Sequence, residues 1–184
     1  METCDKLLVL DLDETLVHAT TIPKRHPHDF IVGPYVIYRR PGVERFLEFC
    51  LERFGSVCIW TSSTLPYAIP VLEHLLEVER LSFVWGRERC TYVVDPETRD
   101  GEWLKDLRKL RKRGWDRRKV IFVDDTPAKI QRSYGNLVRV RAFTGSPEDD
   151  ELDALSTYLD ELGRVPDVRP VEKRGWRHRL APPG

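Results

Sequence analysis

The sequence predicts a three-layer α/β fold in which a mostly parallel central sheet lies between layers of helices. Short apolar runs without helical spacing, as expected of strands buried on both faces, occur at residues 7–10, 56–60 and 119–123. Between them, apolar residues recur at helical spacing over residues 43–54 and 67–78. The 184 residues, with 41% hydrophobic content, are enough for one core. We therefore predict one domain over residues 1–163 and a basic, proline-containing C-terminal tail over residues 164–184.

The composition limits the classes of partner. Thirty Lys and Arg residues balance thirty Asp and Glu residues, so no overall field attracts nucleic acid or a membrane surface. No secretory leader and no apolar stretch of transmembrane length is evident, which predicts a soluble intracellular protein of the cytoplasm or nucleus. The cysteines lack metal-ligand spacing, and we expect reduced, mostly buried thiols at Cys4, Cys50, Cys58 and Cys90.

Two acids follow the first predicted strand. Asp11 and Asp13 come directly after residues 7–10, and the two-residue repeat of a strand places them on the same side of the chain. The carboxyl ends of parallel strands form the ligand crevice of an open α/β sheet. Like charges held so close require a cation, a shared proton or a reaction. The alternative is a loop whose acids cap the next helix.

A β-hairpin is predicted beside this crevice. Residues 30–32 and 35–38 have strand composition and flank Gly33 and Pro34, whereas the rest of residues 18–40 is expected to be irregular. The segment between the two acids and the next helix is too short for a cap domain with its own core. We therefore expect small hairpin insertions, no domain-sized cap and an open crevice.

The next elements follow from spacing and from helix-end signals. A helix begins after Pro41 and Gly42 and is expected to end at Gly55. Further along, the pattern predicts a helix over residues 67–78, strands over residues 81–85 and 91–94, and a polar loop over residues 95–102.

Small hydroxyl residues follow the second predicted strand. Thr61, Ser62 and Ser63 come after residues 56–60, and a helix begins near Pro66. Hydroxyl and backbone N–H groups directed at the same point form a cradle for a phosphate group. The alternative is an ordinary helix N-cap, which Thr64 could provide.

The third predicted strand also ends in two acids, Asp124 and Asp125. Adjacent residues of a strand point to opposite sides, so the two carboxylates should have different roles. Mg²⁺ takes few protein carboxylates and keeps several waters, which suits one direct ligand and one acting through water. The alternative is that both acids cap the turn over residues 128–134.

Nine of the fifteen residues over 105–119 are Lys or Arg. With Leu104, Leu107 and Leu110 directed inward, the simplest prediction is a solvated outer helix, and the alternative is a docking surface for a phosphorylated or nucleic-acid partner. A strand over residues 137–140 and a closing helix over residues 148–162 complete the predicted domain. We expect the tail to be poorly packed apart from a contact through Trp176.

The run Asp-Leu-Asp-Glu-Thr-Leu-Val at residues 11–17 resembles the first motif of the haloacid-dehalogenase-type phosphatases. His18 and the later motifs make the chain similar to the branch that dephosphorylates the C-terminal domain of RNA polymerase II, including the small C-terminal-domain phosphatases. The similarity extends over residues 6–162. Lys105, in the sequence Lys-Asp-Leu, resembles the lysine motif of the family.

The resemblance implies roles for individual residues. Asp11 is the expected nucleophile, Asp13 the general acid and base, and Lys105 a cation for the phosphoryl group. Arg40 precedes a proline at the point where the family has a substrate-binding arginine, although Arg39 could compete for that role. Phosphate or substrate contacts are expected from Thr61, Ser62, Arg40 and Thr15. Mg²⁺ is expected on Asp11, Asp124, the backbone carbonyl of Asp13, and Asp125 directly or through water.

These roles together predict a Mg²⁺-dependent phosphomonoesterase with an aspartyl-phosphate intermediate, acting on phosphoserine or phosphothreonine in a protein or peptide. One alternative is a 3′ nucleic-acid end phosphatase on the same scaffold, suggested by the basic run. Another is an inactive module that binds a phosphorylated ligand, and a small phosphate ester is a third possible substrate. No membrane partner is expected, and the oligomeric state is left open.

Overall fold

The computed structural model describes residues 3–94 and 99–180, which contain the following elements. The strands are β1 (Cys4–Leu10), β2 (Val17–Thr20), β3 (Phe30–Val32), β4 (Tyr35–Arg39), β5 (Phe54–Trp60), β6 (Phe83–Trp85), β7 (Thr91–Val94), β8 (Gly101–Leu104), β9 (Val120–Asp124) and β10 (Leu137–Arg139). The α-helices are α1 (Val43–Arg53), α2 (Leu65–Glu73), α3 (Arg108–Arg111), α4 (Glu151–Gly163) and α5 (Trp176–Arg179). Short 3₁₀ segments lie at Val78–Arg80, Arg87–Arg89, Arg117–Lys119 and Pro127–Asn136.

The central sheet has the order β10-β9-β1-β5-β6, and its paired strands are parallel. The strands predicted from the three apolar runs are β1, β5 and β9, and they lie side by side in the middle of the sheet. Their carboxyl ends therefore meet at one edge, as expected for the ligand crevice of an open α/β sheet.

Both faces of the sheet are covered. In β1, Leu8 and Leu10 belong to one apolar cluster, whereas Leu7 and Val9 belong to a second cluster on the opposite face. The first cluster includes, from α1 and α4, Phe46, Leu47, Leu155 and Leu159. The second includes Leu107, Leu110 and Ile130. The predicted three-layer α/β class is confirmed.

The predicted hairpin is formed by β3 and β4, and it has an additional strand. β2 pairs with β4 in an antiparallel arrangement, which gives the order β2-β4-β3. The expectation that this part of the chain is irregular is therefore wrong over residues 18–20, because a strand of four residues is too short to show a clear alternation. A second small antiparallel pair is formed by β7 and β8. These insertions are far smaller than a cap domain.

The predicted long helix over the basic run is wrong. Only Arg108–Arg111 is α-helical, and Leu104 belongs to β8. The helix cannot continue because Gly114 is left-handed, with φ of 92°, and Asp116 then caps the 3₁₀ segment that leads into β9. The basic residues are consequently distributed over turns. Part of the predicted polar loop, residues 95–98, lies outside the described residues, and its last residues belong to β8.

Several predicted boundaries are displaced. Gly55 does not end the first helix, because α1 passes directly into β5 through the extended residue Phe54. The second helix ends at Glu73, before the predicted residue 78. These ends depend on tertiary contacts as well as on local signals, so local patterns locate them poorly.

The tail packs against the domain as far as residue 180, so the expectation of poor packing is wrong there. Trp176 is 4% exposed, stacks on Tyr158, and donates a 2.7 Å hydrogen bond from Nε1 to the Arg139 carbonyl. The Lys173 ammonium donates to the backbone carbonyls of Gly135, Val168 and Val171. The four cysteines are free, as predicted. Over the described ranges, the helices are too short or too polar to cross a bilayer.

Candidate active site

The carboxyl ends of β1, β5 and β9 bring the predicted polar residues together. Asp11 follows β1, and its backbone N–H donates to the Val123 carbonyl of β9 at 3.0 Å. Thr61 follows β5, and its N–H donates to the Trp85 carbonyl of β6 at 2.9 Å. Asp124 is the last residue of β9. The buried hydrophobic strands thus fix the backbone from which each polar side chain projects.

Lys105 links two of the acids. Its ammonium lies 2.7 Å from Asp11 Oδ1 and 2.5 Å from Asp124 Oδ2, and its side chain is 1% exposed. It comes directly after β8, and its backbone N–H donates to the Lys129 carbonyl at 2.8 Å. The lysine selected from the basic run by its motif is therefore the one that enters the site.

The surrounding charges keep Asp11 ionised. Burial alone would raise the pKa of Asp11, but the ammonium groups of Lys105 and Lys129 outweigh it and hold that pKa below the usual range. Burial, followed by the charge of Asp11, raises the pKa of Asp124 to about 6. Burial would lower the pKa of Lys105, but Asp11 and Asp124 raise it above its usual value, so Lys105 is charged.

Asp13 has a different environment from Asp11. Its carboxyl group accepts hydrogen bonds from Tyr67 Oη at 2.6 Å, Ser63 Oγ at 2.7 Å and, more weakly, Thr61 Oγ1 at 3.4 Å. Burial raises the pKa of Asp13, and the donors from Tyr67 and Ser63 only partly offset this effect. The pKa values of the two acids of the first motif are therefore shifted in opposite directions. Asp11 favours the ionised form, whereas the raised pKa of Asp13 favours its protonated form.

A tight turn connects these acids to β2. Glu14 adopts a left-handed backbone, with φ of 59°, and its carboxylate lies 2.9 Å from His18 Nδ1. Thr15 is completely buried behind this turn, and its Oγ1 makes no hydrogen bond within the described part of the chain. The expected contact between Thr15 and phosphate stays a prediction.

Arg40 is also turned inward. It is completely buried, and it donates to Asp149 through Nε at 2.7 Å and Nη2 at 3.0 Å. Its remaining donors reach the carbonyls of Thr15 and Arg141. The expected contact between Arg40 and substrate stays a prediction. The neighbouring Arg39 is partly exposed, but it pairs with the half-exposed Glu44 on the surface.

The residues after β5 are placed for the predicted phosphate cradle. Thr61 Oγ1 accepts a 3.0 Å hydrogen bond from the Ser63 N–H, which closes a turn before α2. Ser62 is partly exposed, and its carbonyl accepts a 2.7 Å hydrogen bond from Arg87 Nε. The phosphate-binding roles of Thr61 and Ser62 stay predictions. Sequence reasoning missed the Ser63 and Tyr67 contacts to Asp13, because a local pattern does not show which side of a turn a hydroxyl faces.

Three carboxylates form a group that fits a divalent cation. Asp11, Asp124 and Asp125 each offer an oxygen within 4.8 Å of the others. Asp125 Oδ1 is buried and accepts no hydrogen bond in the described ranges, so it retains a free lone pair toward this group. An all-oxygen set of this kind suits Mg²⁺. The Oδ1 atom of Asp124 accepts a 2.9 Å hydrogen bond from the Thr126 N–H, which fixes the orientation of this carboxylate.

A second lysine, which sequence reasoning missed, lies against the same carboxylates. Lys129 Nζ is 3.3 Å from Asp11 Oδ2 and 3.9 Å from both Asp124 Oδ1 and Asp125 Oδ1, and its side chain is 15% exposed. Burial would lower its pKa, but the acids raise it above the usual value. The available sequence signal was its position four residues after Asp125, near the start of the Pro127–Asn136 segment, which brings the two side chains within 3.9 Å of each other.

Comparison with known proteins agrees with this geometry. The family model described as NLI interacting factor-like phosphatase matches residues 6–169. A probable C-terminal domain small phosphatase of Dictyostelium discoideum is 34% identical over 174 residues, which cover 90% of this chain and 53% of that protein. The human carboxy-terminal domain RNA polymerase II polypeptide A small phosphatase 1 is 33% identical, covering 91% of this chain and 63% of the human protein. The chain thus spans about half of these relatives.

Solved structures share the fold. The fission yeast RNA polymerase II CTD phosphatase bound to beryllium fluoride has a TM-score of 0.57 at 22% identity, covering 84% of this chain and 45% of that one. An uncharacterized protein from Listeria monocytogenes has a TM-score of 0.59 at 15% identity, covering 87% and 99%. At these identities the likeness supports the α/β architecture alone.

Proposed function

The chain belongs to the NLI interacting factor-like phosphatase family, and from this premise we propose that it is a Mg²⁺-dependent phosphomonoesterase with an aspartyl-phosphate intermediate. The main support for the proposal is the difference in surroundings between Asp11 and Asp13. Asp11 forms ion pairs with Lys105 and Lys129, whereas the carboxyl group of Asp13 accepts hydrogen bonds from the hydroxyl groups of Ser63 and Tyr67. A nucleophile must be ionised and a general acid must carry a proton, and these environments supply that pair.

The reaction follows from these positions in two steps. An Asp11 carboxylate oxygen attacks phosphorus, the bond from phosphorus to the ester oxygen breaks, and Asp13 gives its proton to the leaving oxygen. Asp13, now ionised, then removes a proton from water as the water attacks the phosphoryl group on Asp11. Inorganic phosphate leaves, and both acids return to their starting protonation states.

The surrounding cations stabilise the transferring group. Lys105 lies against Asp11 and is charged, so it reduces repulsion between that carboxylate and an incoming phosphate dianion. Asp11, Asp124 and Asp125, with the backbone carbonyl of Asp13, are the residues that would hold Mg²⁺. When bound, Mg²⁺ supplies further positive charge to the phosphoryl oxygens.

We propose phosphoserine or phosphothreonine in a protein as the substrate. Small insertions leave the crevice without a domain-sized lid, which permits a macromolecular ligand. The name of the human relative describes a phosphatase of the carboxy-terminal domain of an RNA polymerase II polypeptide. A 3′-phosphorylated nucleic acid is the second candidate, because arginines and lysines crowd the described surface near Lys105.

The proposal is tested by comparing substrates for the purified chain. An aryl phosphate, a phosphoserine peptide and a 3′-phosphorylated oligonucleotide are incubated with Mg²⁺ or with EDTA, and released phosphate is measured. We expect Mg²⁺-dependent release, fastest from the peptide. Faster release from the oligonucleotide would select the second candidate. No release from any substrate by folded, Mg²⁺-supplied protein would favour an inactive binding module.

Replacing Tyr67 with Phe should shift the pH dependence of the reaction upward. The Tyr67 hydroxyl donates to Asp13 and lowers the pKa of that carboxyl, so its removal raises this pKa further. Asp13 must be protonated for the first step, and activity therefore falls as pH rises through its pKa. Loss of one hydrogen bond to a charged group, about 1.4 kcal/mol, corresponds to about one pH unit. The measurement is kcat/KM against pH for the phosphoserine peptide.

Tyr35→Phe is the matched control for this profile. The Tyr35 ring packs edge-on against Tyr67 at 5.6 Å between centroids, and its hydroxyl makes no hydrogen bond to Asp13. We expect kcat/KM of Tyr35→Phe to fall at the same alkaline pH as that of the wild type. If kcat/KM of Tyr67→Phe falls at the same pH as the wild type or at a lower pH, the assignment of Asp13 as the general acid is contradicted.

Replacing Lys129 with Ser should tighten Mg²⁺ binding. The ammonium of Lys129 occupies the space between the carboxylates that would hold the cation, and like charges a few ångströms apart repel strongly in a partly buried site. We expect an increase of about tenfold or more in Mg²⁺ affinity. Isothermal titration of Mg²⁺ into the substrate-free protein measures this without any turnover.

Three further variants test whether Lys129 acts through its charge. Asp125→Asn removes one negative charge and should weaken Mg²⁺ binding, and the double variant should return toward wild type. Lys112→Ser removes an exposed lysine of the basic run and should leave the affinity unchanged. Weaker Mg²⁺ binding by Lys129→Ser would mean that Lys129 mainly orders the carboxylates.

A further inference from the structure

Arginines from four separate segments converge on one pocket outside the active site. Its volume is about 410 Å³. Two come from α3, one precedes β9, one lies on the Pro127–Asn136 segment, and one comes from the tail. In order, they are Arg108, Arg111, Arg117, Arg132 and Arg169. The basic run therefore contributes a concave surface, in place of the solvated helix that its spacing predicted.

The acid in the pocket wall is already neutralised. Asp106 is 4% exposed, and its carboxylate accepts hydrogen bonds from Arg108 at 2.7 to 3.1 Å and from Arg132 Nη1 at 2.9 Å. The hydrogen bonds from Arg108 hold the pKa of Asp106 far below its usual range, so the acid stays ionised. Asp106 thereby fixes two guanidinium groups at the rim without cancelling the other three charges.

The remaining arginines have no counterion. Within residues 3–94 and 99–180, the guanidinium groups of Arg111, Arg117 and Arg169 form no hydrogen bond or ion pair. Five positive charges and one negative charge leave a formal charge of +4 on the pocket wall, although the whole chain has a formal charge of zero. Such a concentration of one sign in a concave surface attracts a multiply charged anion.

A buried amide adds a second requirement on the ligand. Asn136 is 1% exposed and lines the pocket, and its Nδ2 donates to the carbonyls of Arg117 at 2.6 Å and Val120 at 2.7 Å. These bonds fix the orientation of the amide. Its Oδ1 is buried and accepts no hydrogen bond from any residue that the structure describes. A ligand that pairs with all of these groups therefore carries acceptor oxygens for the guanidinium groups and one hydrogen-bond donor for Asn136 Oδ1.

We propose that this pocket binds a phosphorylated residue of a peptide, as a second phosphate site separate from the catalytic one. A phosphomonoester carries close to two negative charges and three acceptor oxygens, and the peptide backbone supplies the N–H donor. A nucleic-acid phosphodiester offers one charge per group and no donor on its phosphate. Asn136 binds the carbonyl of Val120, the first residue of β9, whereas Asp124 of the active site is the last residue of that strand. A peptide that reaches both sites therefore extends along the protein, and two segments connect the sites, because Asp106 follows Lys105 and Arg132 lies three residues after Lys129.

The inference deepens the proposed protein-phosphatase function, but its test does not depend on turnover. In an Asp11→Asn background, binding of a fluorescent peptide is measured by anisotropy, with no phosphoserine, one phosphoserine or two. Arg111→Ala/Arg117→Ala is compared with Arg45→Ala/Arg174→Ala, which removes two exposed arginines elsewhere. We expect the pocket variant to lose about tenfold in affinity for the doubly phosphorylated peptide and little for the singly phosphorylated one.

Three other outcomes would overturn the inference. Equal losses in the pocket variant and the charge-matched control would mean that the arginines act only through overall charge. Equal affinities for the peptides with one and two phosphoserines would exclude a second phosphate site. Tighter, pocket-dependent binding of a single-stranded RNA would assign the surface to nucleic acid. If the peptides bind as expected but the wild type hydrolyses none of them, the pocket stands and the proposed catalytic function fails.

Discussion

Asp11→Asn should lose phosphatase activity by a factor on the order of 10⁴ or more. The change keeps the shape of the side chain but replaces the attacking carboxylate with a neutral amide, which cannot form the acyl phosphate at a useful rate. In the structure Asp11 is 1% exposed and contacts both Lys105 and Lys129. Single-turnover assays with the phosphoserine peptide and Mg²⁺ measure the loss.

The variant is expected to fold, because Lys105 keeps its contact with Asp124. Asp5→Asn is a matched control: it makes the same change in an exposed acid at the opposite end of β1. We expect Asp5→Asn to retain full activity. Substantial Mg²⁺-dependent turnover by folded Asp11→Asn would refute the nucleophile assignment, and a covalent phosphate on another residue would identify the true one.

The place where the acids of the site meet could be predicted from sequence, because these acids follow the strands. Asp11 and Asp124 come at the ends of β1 and β9, which are apolar enough to be recognised, and parallel strands bring such ends together. Lys105 lies in no comparable strand run and was selected by motif resemblance. The three-layer class followed from the same strands, since residues alternating along β1 belong to opposite apolar clusters.

The rest depends on contacts between residues that are far apart in the chain. Arg40 is buried by an ion pair with Asp149, which is 109 residues away, and no local pattern distinguishes that arginine from an exposed one. The basic run was predicted as a helix because leucines recur at the right spacing, but Leu104 belongs to a strand and Gly114 ends the helix. The partners of Asp13 were likewise hidden, since they depend on how α2 is oriented above the sheet.

Arg40→Ala should destabilise the protein by about 3–5 kcal/mol of unfolding free energy. The substitution removes the partner of Asp149, whose side chain is 12% exposed, and leaves the carbonyls of Thr15 and Arg141 without their guanidinium donor. It also removes the group that lies over the Phe143 ring. Urea denaturation monitored by circular dichroism gives the free energy. Arg40→Lys should recover only part of the loss, because an ammonium cannot make the bidentate contact.

The same variants separate a structural arginine from a substrate-binding one. Arg45→Ala breaks an exposed ion pair with Asp153 and should lower the free energy of unfolding by less than about 1 kcal/mol. The contrast with Arg40→Ala would attribute the larger loss to the burial of Arg40. At a temperature where Arg40→Lys is still folded, its KM for the phosphoserine peptide should match wild type, because Arg40 has no exposed atom to offer a ligand. A strong rise in KM at unchanged stability would support the contact between Arg40 and substrate that the family resemblance implied. It would also require Arg40 to leave Asp149 when substrate binds.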